Sequence, residues 1–306
     1  MKKTNLFVLA LLLLTAFSGC NKKQPEEPAV ISLVSTMEVE NINGTVVEAL
    51  YSDSTKMYFR LLSDTTAEVV SYHEFYDHEH ESSGWIYRGK VVVPEKLSHS
   101  GKDHTVVGIG DHAFGFFHDF VYNYYYPASL VSEVDLPNSI TRIGDDAFYE
   151  CDELVSIDLP QSVAYIGYNA FSKTDLTSVE IPSSVTEIMG NCFGGCEHLH
   201  SVKLPNTIVC IGDGAFMDCT SLTDFVIPES VYYLGYYVFL RANALKTLYC
   251  RPTTPPFKSP NGIFYNGPLQ LSDSFQFEAI YVPMESVEVY KNDFNWQLYS
   301  DIIVGN

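Results

Sequence analysis

Apolar and polar residues alternate in short runs that recur at a fixed interval along this chain. In Ser156-Ile157-Asp158-Leu159-Pro160 every second side chain is apolar, as in a strand buried on one face, so Ile157 and Leu159 point in and Ser156 and Asp158 point out. A second apolar pair follows at Val163 and Ile166, then a glycine suited to a tight bend, then a turn or helical turn bearing Ala170 and Phe171. The unit is written five times across residues 131–244. Its prolines, Pro137, Pro160, Pro182, Pro205 and Pro228, are spaced 23, 22, 23 and 23 residues apart, and Phe148, Phe171, Phe193, Phe216 and Phe239 follow at the same intervals. Proline suits a strand end because it has no N–H to give to a parallel ladder. A period of this length predicts a solenoid, whose repeats are each too small to bury their own apolar side and must stack on their neighbours. The five phenylalanines are expected to form an inner column. In the third unit Met189 replaces the glycine and Gly190 follows it, so the bend there is expected to shift by one residue.

The flanks break the pattern in readable ways. Residues 57–62 and 67–72 are β-prone runs separated by the turn-forming Ser63-Asp64-Thr65-Thr66, which predicts a hairpin or meander capping the first coil over residues 37–90. Residues 91–114 carry a stretched copy of the unit, with Pro94 and Phe114 in the anchor places. Its Gly108-Ile109-Gly110-Asp111-His112-Ala113 matches a dinucleotide fingerprint, but Ile-Gly-x-x-Ala-Phe recurs in other units without the first glycine, so the match is a repeat feature and no cofactor is expected. Between Phe114 and Phe148 about eleven residues are inserted, an aromatic stretch holding Phe120, Tyr122, Tyr124, Tyr125 and Tyr126. Insertions in a solenoid map to surface loops, where tyrosine gives large contact area at low entropic cost. The repeats run to residue 257. The segment 258–306 is irregular at first, then supplies a last strand at 279–283 and a short helix from Glu285 to Tyr290, with Trp296 buried against it.

Composition and the remaining residues bear on location and chemistry. Lys2 and Lys3 precede an apolar run over residues 6–17, signal-peptide length, and Ser18-Gly19-Cys20 follows. This resembles a bacterial lipobox, although Phe17 stands where an aliphatic residue is usual; it implies a signal peptide over residues 1–19, lipid attachment at Cys20, and a polar tether to residue 36. With 38 acidic against 18 basic residues the net charge is −20, which argues against nucleic acid and anionic membrane surfaces as partners. Membrane contact is then expected only through the lipid anchor. Cys151, Cys196 and Cys219 share one repeat position, which reads as packing rather than metal binding, although export would permit a disulfide between Cys196 and Cys219. The run from His73 to Glu81 is dense in possible ligands, but Asp77 stands where H-E-x-x-H needs its second histidine, and it reads as a polar hairpin loop; no metal site is expected. No nucleophile elbow and no phosphate-cradling loop occur.

The unit L-x-S-V-x-I-P-x-S-V-x-x-I-G-x-x-A-F-x-x-C resembles the leucine-rich repeats of BspA-like bacterial surface proteins, also called the Treponema pallidum type, over about residues 91–257. The resemblance implies a leucine-rich repeat solenoid of short parallel β-strands joined by turns or short helices, with a β-rich cap before it and a strand-helix cap after it. It also implies export to the cell envelope or surface and a binding role, with adhesion among the family's known uses.

Two surfaces could carry such a role. The outward strand positions read Glu133, Ser156, Ser178, Ser201 and Asp224 in one column and Asp135, Asp158, Glu180, Lys203 and Val226 in the other, a small and acidic face about five strands wide. Around the Ile-Gly bend lie Tyr165, Tyr168, Tyr232, Tyr233, Tyr236 and Tyr237. The expected function is non-enzymatic: recognition of a host or envelope protein through the repeat face or the aromatic insertion. The alternatives are glycan capture beside an uptake system and a structural envelope scaffold. The expected location is a lipid-anchored one, at the outer membrane or cell surface of a Gram-negative bacterium.

Overall fold

The computed structural model describes residues 32–39, 45–51, 56–71, 87–115, 117–119, 124–126, 130–256 and 277–306. The leader, Cys20, the run from His73 to Glu81, Phe120, Tyr122 and the irregular stretch before residue 277 lie outside the described residues. Coils are numbered 1 to 5 by their phenylalanines, Phe148 to Phe239.

Strands Leu33–Val39, Val46–Tyr51, Lys56–Leu61 and Thr66–Val70 form an antiparallel meander. Its last strand pairs in parallel with Lys102–Ile109, which also forms a hairpin with Lys96–His99 through the left-handed pair Ser100 and Gly101. His99 ties that hairpin to the first strand, with one ring nitrogen 3.0 Å from the Thr36 hydroxyl and the other 3.1 Å from the Glu38 carboxylate. The strand Lys102–Ile109 then pairs with Arg142–Ile143, and that with Tyr165–Ile166, so one sheet runs from the meander into the first two coils.

Each coil contributes to three flanks. On the strand face, Leu130–Asp135 pairs with Arg88–Val92, Ser178–Glu180 with Ser201–Lys203, and Asp224–Ile227 with Thr247–Cys250, Ala279–Val282 and Ile303–Gly305. The last strand is therefore Ile303–Gly305, one beyond the strand at 279–282. Proline closes the strand segment in each coil by a turn: the carbonyls of Pro137, Pro160, Pro182, Pro205 and Pro228 each accept the N–H three residues on. Two residues after each proline a hydroxyl crosses to the preceding coil. Ser139, Ser162, Ser184, Thr207 and Ser230 donate to backbone carbonyls at 2.6–2.8 Å, extending the inter-coil bonding where the chain turns and the strand ladder has ended.

On the second flank the isoleucines stack in register, Ile143 on Ile166 and Ile188 on Ile211 and Leu234. The glycine after each of them does not make the bend. A Cβ at Gly167 would stand 2.6 Å from the Asp145 nitrogen and 2.7 Å from the Gly144 carbonyl carbon, and Gly144, Gly212 and Gly235 are pressed on the coil before them in the same way. Glycine is needed there for close approach of backbones. The left-handed residues flank the phenylalanine instead, two before it at Asp146, Asn169, Asn191, Gly214 and Tyr237, and two after it at Glu150, Lys173, Gly195, Asp218 and Arg241. Asn191 holds its place in coil 3, so Met189 does not shift the bend. It coincides instead with a break: the second-flank ladder stops at Tyr165–Ile166 and resumes at Glu187–Ile188.

The third flank is a stack of turns. There the N–H groups of Asp146, Phe148 and Glu150 donate to Tyr168, Ala170 and Ser172 of the next coil, and the pattern repeats through coil 4 at 2.7–3.2 Å. Inside, the phenylalanine column has six members, because Phe114 of the stretched copy stacks on Phe148 at 5.1 Å. Successive ring centroids to Phe239 lie 5.3, 5.5, 5.6 and 6.0 Å apart with planes within 15°. Tyr87 closes one end edge-on and Phe225 packs edge-on against Phe239 at the other. At the C-terminal end a six-residue helix, Val287–Asn292, carries Tyr290, whose hydroxyl donates to Pro252 O, while buried Trp296 donates to Pro256 O and meets Tyr290 edge-on.

Candidate binding surfaces

The strand face is exposed as the alternation requires. Glu133, Asp135, Ser156, Asp158, Ser178, Glu180, Ser201 and Lys203 all point to solvent. Ser178 lies beside Ser201 and Glu180 beside Lys203 in the ladder, so these columns exist as expected between coils 3 and 4. The face is not one sheet five strands wide, however. Residues 155–159 keep the in-and-out alternation but form no ladder, and none joins Ser201–Lys203 to Asp224–Ile227.

Nor is the face uniformly acidic. The Lys90 ammonium donates to Glu133 at 2.7 Å and sits 2.9 Å from Asp135, while Lys203 donates to Glu180 at 2.6 Å. The two carboxylates hold the Lys90 ammonium above its ordinary range. Opposite charges in adjacent strand places attract modestly when exposed, and they leave a mixed surface. Among the described residues Asp158 forms no ion pair and is the one carboxylate of this column left open.

Three further residues continue the outward column beyond Val226. Tyr249, Tyr281 and Val304 follow it in strict register, and the two tyrosine rings stack at 5.1 Å and 13° with the Arg251 guanidinium 6.0 Å from the Tyr249 ring. Alternation in the last strands carries this signal, but it is visible only once Ile303–Gly305 is known to be a strand. The aromatic insertion forms a small antiparallel hairpin, Phe117–Asp119 with Tyr124–Tyr126.

On the second flank the bend tyrosines divide into two groups. Tyr165 is half-buried, donates to Asp145 at 3.2 Å and lies 5.4 Å from the Arg142 guanidinium, which itself donates to Asp111 at 2.6 Å. Tyr168, at 53% exposure, rests its ring on Gly190 of coil 3. Coil 5 brings Tyr232, Tyr233, Tyr236 and Tyr237 together, with Tyr232 60% exposed and Tyr233 half-buried beside Cys210 in the ladder. Burial, with Asp213 and Cys210 adding, raises the Tyr233 hydroxyl above its usual range. Burial also pushes the Cys210 thiol up to about 11, helped by Glu187 and Asp213.

The other cysteines are packing residues. None of the six described thiols is in a disulfide, and Cys151, Cys196 and Cys219 each donate to a phenylalanine carbonyl of an earlier coil at 3.1–3.3 Å. Burial raises the Cys192 and Cys219 thiols well above the usual range and Cys196 to about 11, so they stay protonated and unreactive. Among the described residues no group of three His, Cys, Asp or Glu side chains is placed to hold a metal, and no helix is long and apolar enough to cross a membrane.

Residues 119–246 match the BspA type leucine rich repeat region in six copies. Among solved structures, a leucine rich cell surface protein from Faecalibacterium prausnitzii is 22% identical over 83% of this chain and 72% of that one, with a TM-score of 0.49. The pneumococcal vaccine antigen PcpA is 16% identical over 82% of this chain and 65% of its own, with a TM-score of 0.52. The T. pallidum leucine rich repeat protein is 27% identical over 70% of this chain and 87% of its own, at 0.49. Among curated proteins none matches. The PcpA likeness speaks to the fold alone. Across residues 119–246 the sequence thus matches BspA-type leucine-rich repeats, and the fold of the chain is that of a leucine-rich repeat protein.

Proposed function

We propose that this chain is a non-enzymatic binding module of a bacterial cell envelope, anchored through acylated Cys20, that recognises a host or envelope protein through the strand face of its repeats. The observation that carries the reading is the outward column itself. Small and charged positions, Ser178, Ser201, Glu180 and Lys203, are open and in register, and Val226, Tyr249 and Tyr281 continue the same surface with apolar and aromatic groups. An apolar and aromatic centre beside a polar rim is the composition of protein interfaces. Stacked coils hold that surface rigidly, which limits the ordering cost of association.

A soluble form spanning residues 21–306 would be screened against host matrix proteins, envelope proteins and polysaccharides, beside Ser178→Arg/Ser201→Arg and Tyr124→Ala/Tyr125→Ala variants. A protein hit lost in the arginine variant is the expected result. A protein hit that survives it moves the site off the strand face, and a polysaccharide hit lost in the tyrosine variant replaces the reading with glycan capture. Labelling of the full chain with a fatty acid, absent in Cys20→Ser, tests the anchor.

A further inference from the structure

On the second flank the ladder place that Arg142 fills in coil 1, beside a tyrosine of the next coil, is filled in coil 4 by Cys210, again beside a tyrosine. At the N-terminal end of this flank Arg142 of coil 1 stands between a carboxylate on the preceding coil, Asp111, and a tyrosine ring on the following coil, Tyr165. In the ladder, Gly108, Arg142 and Tyr165 hold the places that Glu187, Cys210 and Tyr233 hold on coils 3, 4 and 5, so Glu187 stands where the first copy has a glycine and its carboxylate comes from the ladder place itself. Carboxylate and ring are again on either side, but the middle place is taken by a short neutral thiol. Neither Glu187 nor Asp213 forms an ion pair among the described residues, whereas Asp111, Glu150, Asp218, Glu180 and Glu133 all do. One oxygen of Asp213 accepts the Tyr236 N–H and so fixes the carboxylate at this place.

Exposed rings bound the position on both sides. Tyr168 rests on coil 3, and Tyr232 and Tyr237, 60% and 43% exposed, stand on coil 5. The walls are roughly 15 Å apart, three strand spacings of about 4.8 Å from coil 2 to coil 5. The floor between them is Thr186, Glu187, Gly190, Val209 and Cys210.

We propose that this saddle binds an arginine-bearing basic segment of a partner protein, the guanidinium entering over Cys210 where Arg142 sits on coil 1, between Glu187 and Tyr233. The proposal rests on the reading of the chain as a protein-binding module but uses a different surface. Guanidinium suits the place because it pairs with a carboxylate and lies on an aromatic face at once. The net charge of −20 favours approach of such a segment from a distance. A neutral or acidic partner would leave Glu187 and Asp213, both close enough to act on the Cys210 thiol, without compensation.

The test uses the 21–306 chain and a fluorescent peptide of alternating arginine and glycine, read by anisotropy at physiological salt. Cys210→Arg supplies the chain's own guanidinium and is expected to weaken binding about tenfold or more, as are Glu187→Gln and Tyr232→Ala/Tyr168→Ala. Asp158→Asn removes one charge from the strand face, and Ser178→Arg/Ser201→Arg adds bulk there; neither is expected to differ from the parent beyond a small charge effect. Thermal melts confirm that each variant folds. Loss in all variants in proportion to charge alone, with the tyrosine variant unchanged, would overturn the proposal in favour of diffuse attraction. So would binding of a neutral oligosaccharide that is lost in the tyrosine variant and kept in Glu187→Gln. Peptide binding that behaves as expected while the strand-face screen finds nothing would refute the strand face and leave the saddle standing.

Discussion

Replacing Gly167 by alanine adds one methyl at the closest approach between two coils. The new Cβ would lie 2.6 Å from the Asp145 nitrogen and 2.7 Å from the Gly144 carbonyl carbon, both backbone atoms of coil 1 that no rotamer change can move aside. Restoring ordinary contact near 3.4 Å requires coil 2 to retreat by about 0.8 Å along this flank. Three inter-coil hydrogen bonds cross the gap: Gly167 to Ile143 O at 3.0 Å, Ala164 to Thr141 O at 2.9 Å, and the Tyr168 N–H to the Asp145 carboxylate at 2.9 Å. Weakening them at about 1 kcal/mol each, with overpacking strain of about 1–3 kcal/mol, outweighs the ~0.4–1 kcal/mol that alanine gains by stiffening the unfolded chain. The expected net destabilisation is about 3–5 kcal/mol. Gly190 is the matched control, because a Cβ there meets Asp213 O at 3.2 Å and the movable Tyr168 ring at 3.3 Å. Gly190→Ala is expected to fall within about 1 kcal/mol of the parent. Urea titration measures both, and hydrogen exchange at residues 164–168 locates the loss, which matters because a repeat array need not unfold in one step. Equal stability for the two alanine variants would refute the close-approach account of the repeat glycine.

Two other outcomes follow from the core and the turn flank. Phe171→Ala removes a ring stacked at 5.3 and 5.5 Å on its two neighbours and is expected to destabilise by about 3–5 kcal/mol, with amide protection falling in coils 1 to 3 before the ends; unchanged protection near residue 171 would count against the column as the central support. Asp146 has its carboxyl raised above the usual range, first by burial and against the pull of His112 and Asn169, so the folded state binds its proton more tightly and stability from this group falls as pH rises through that raised value. Asp146→Asn, which keeps an acceptor for Asn169 and suits the left-handed backbone, is therefore expected to raise Tm at pH 7 and to lose that advantage below the carboxylate range; an equal effect at pH 3 and pH 7 would refute it.

The repeat and its inward faces were legible because proline, isoleucine and phenylalanine recur at fixed offsets, and every one of those phenylalanines is buried. The glycine was legible as a residue but not in its role: sequence gives the missing Cβ, whereas the atoms pressing on that space belong to the preceding coil. The true bends were hidden because their left-handed positions hold Asp146, Asn169, Glu150, Lys173 and Arg241, polar residues that the inter-coil bonds hold there. The hydroxyl ladder had a signal that went unread, a serine or threonine two places after every repeat proline. The pairing of the face charges was not legible because Lys90 sits in the irregular stretch before the repeats and reaches Glu133 only through a parallel pairing whose register slips between Val131 and Glu133. The candidate site itself was legible only as a list of outward positions; the Arg142 arrangement and its vacant counterpart at Cys210 needed the register of coils against one another.

The turn flank gives the molecule a direction. The inter-coil backbone bonds along it run the same way, from an N–H in one coil to a carbonyl in the next, through Phe114, Phe148, Phe171, Phe193 and Phe216. Amide dipoles aligned in this manner add head to tail, as they do in an α-helix, and leave partial negative charge at the Phe114 end and partial positive charge at the Phe239 end. The strand faces do not share this, since parallel ladders alternate their donors. One edge of the solenoid therefore behaves as a weak bar of fixed polarity, and two copies lying edge to edge would be favoured in opposite orientations.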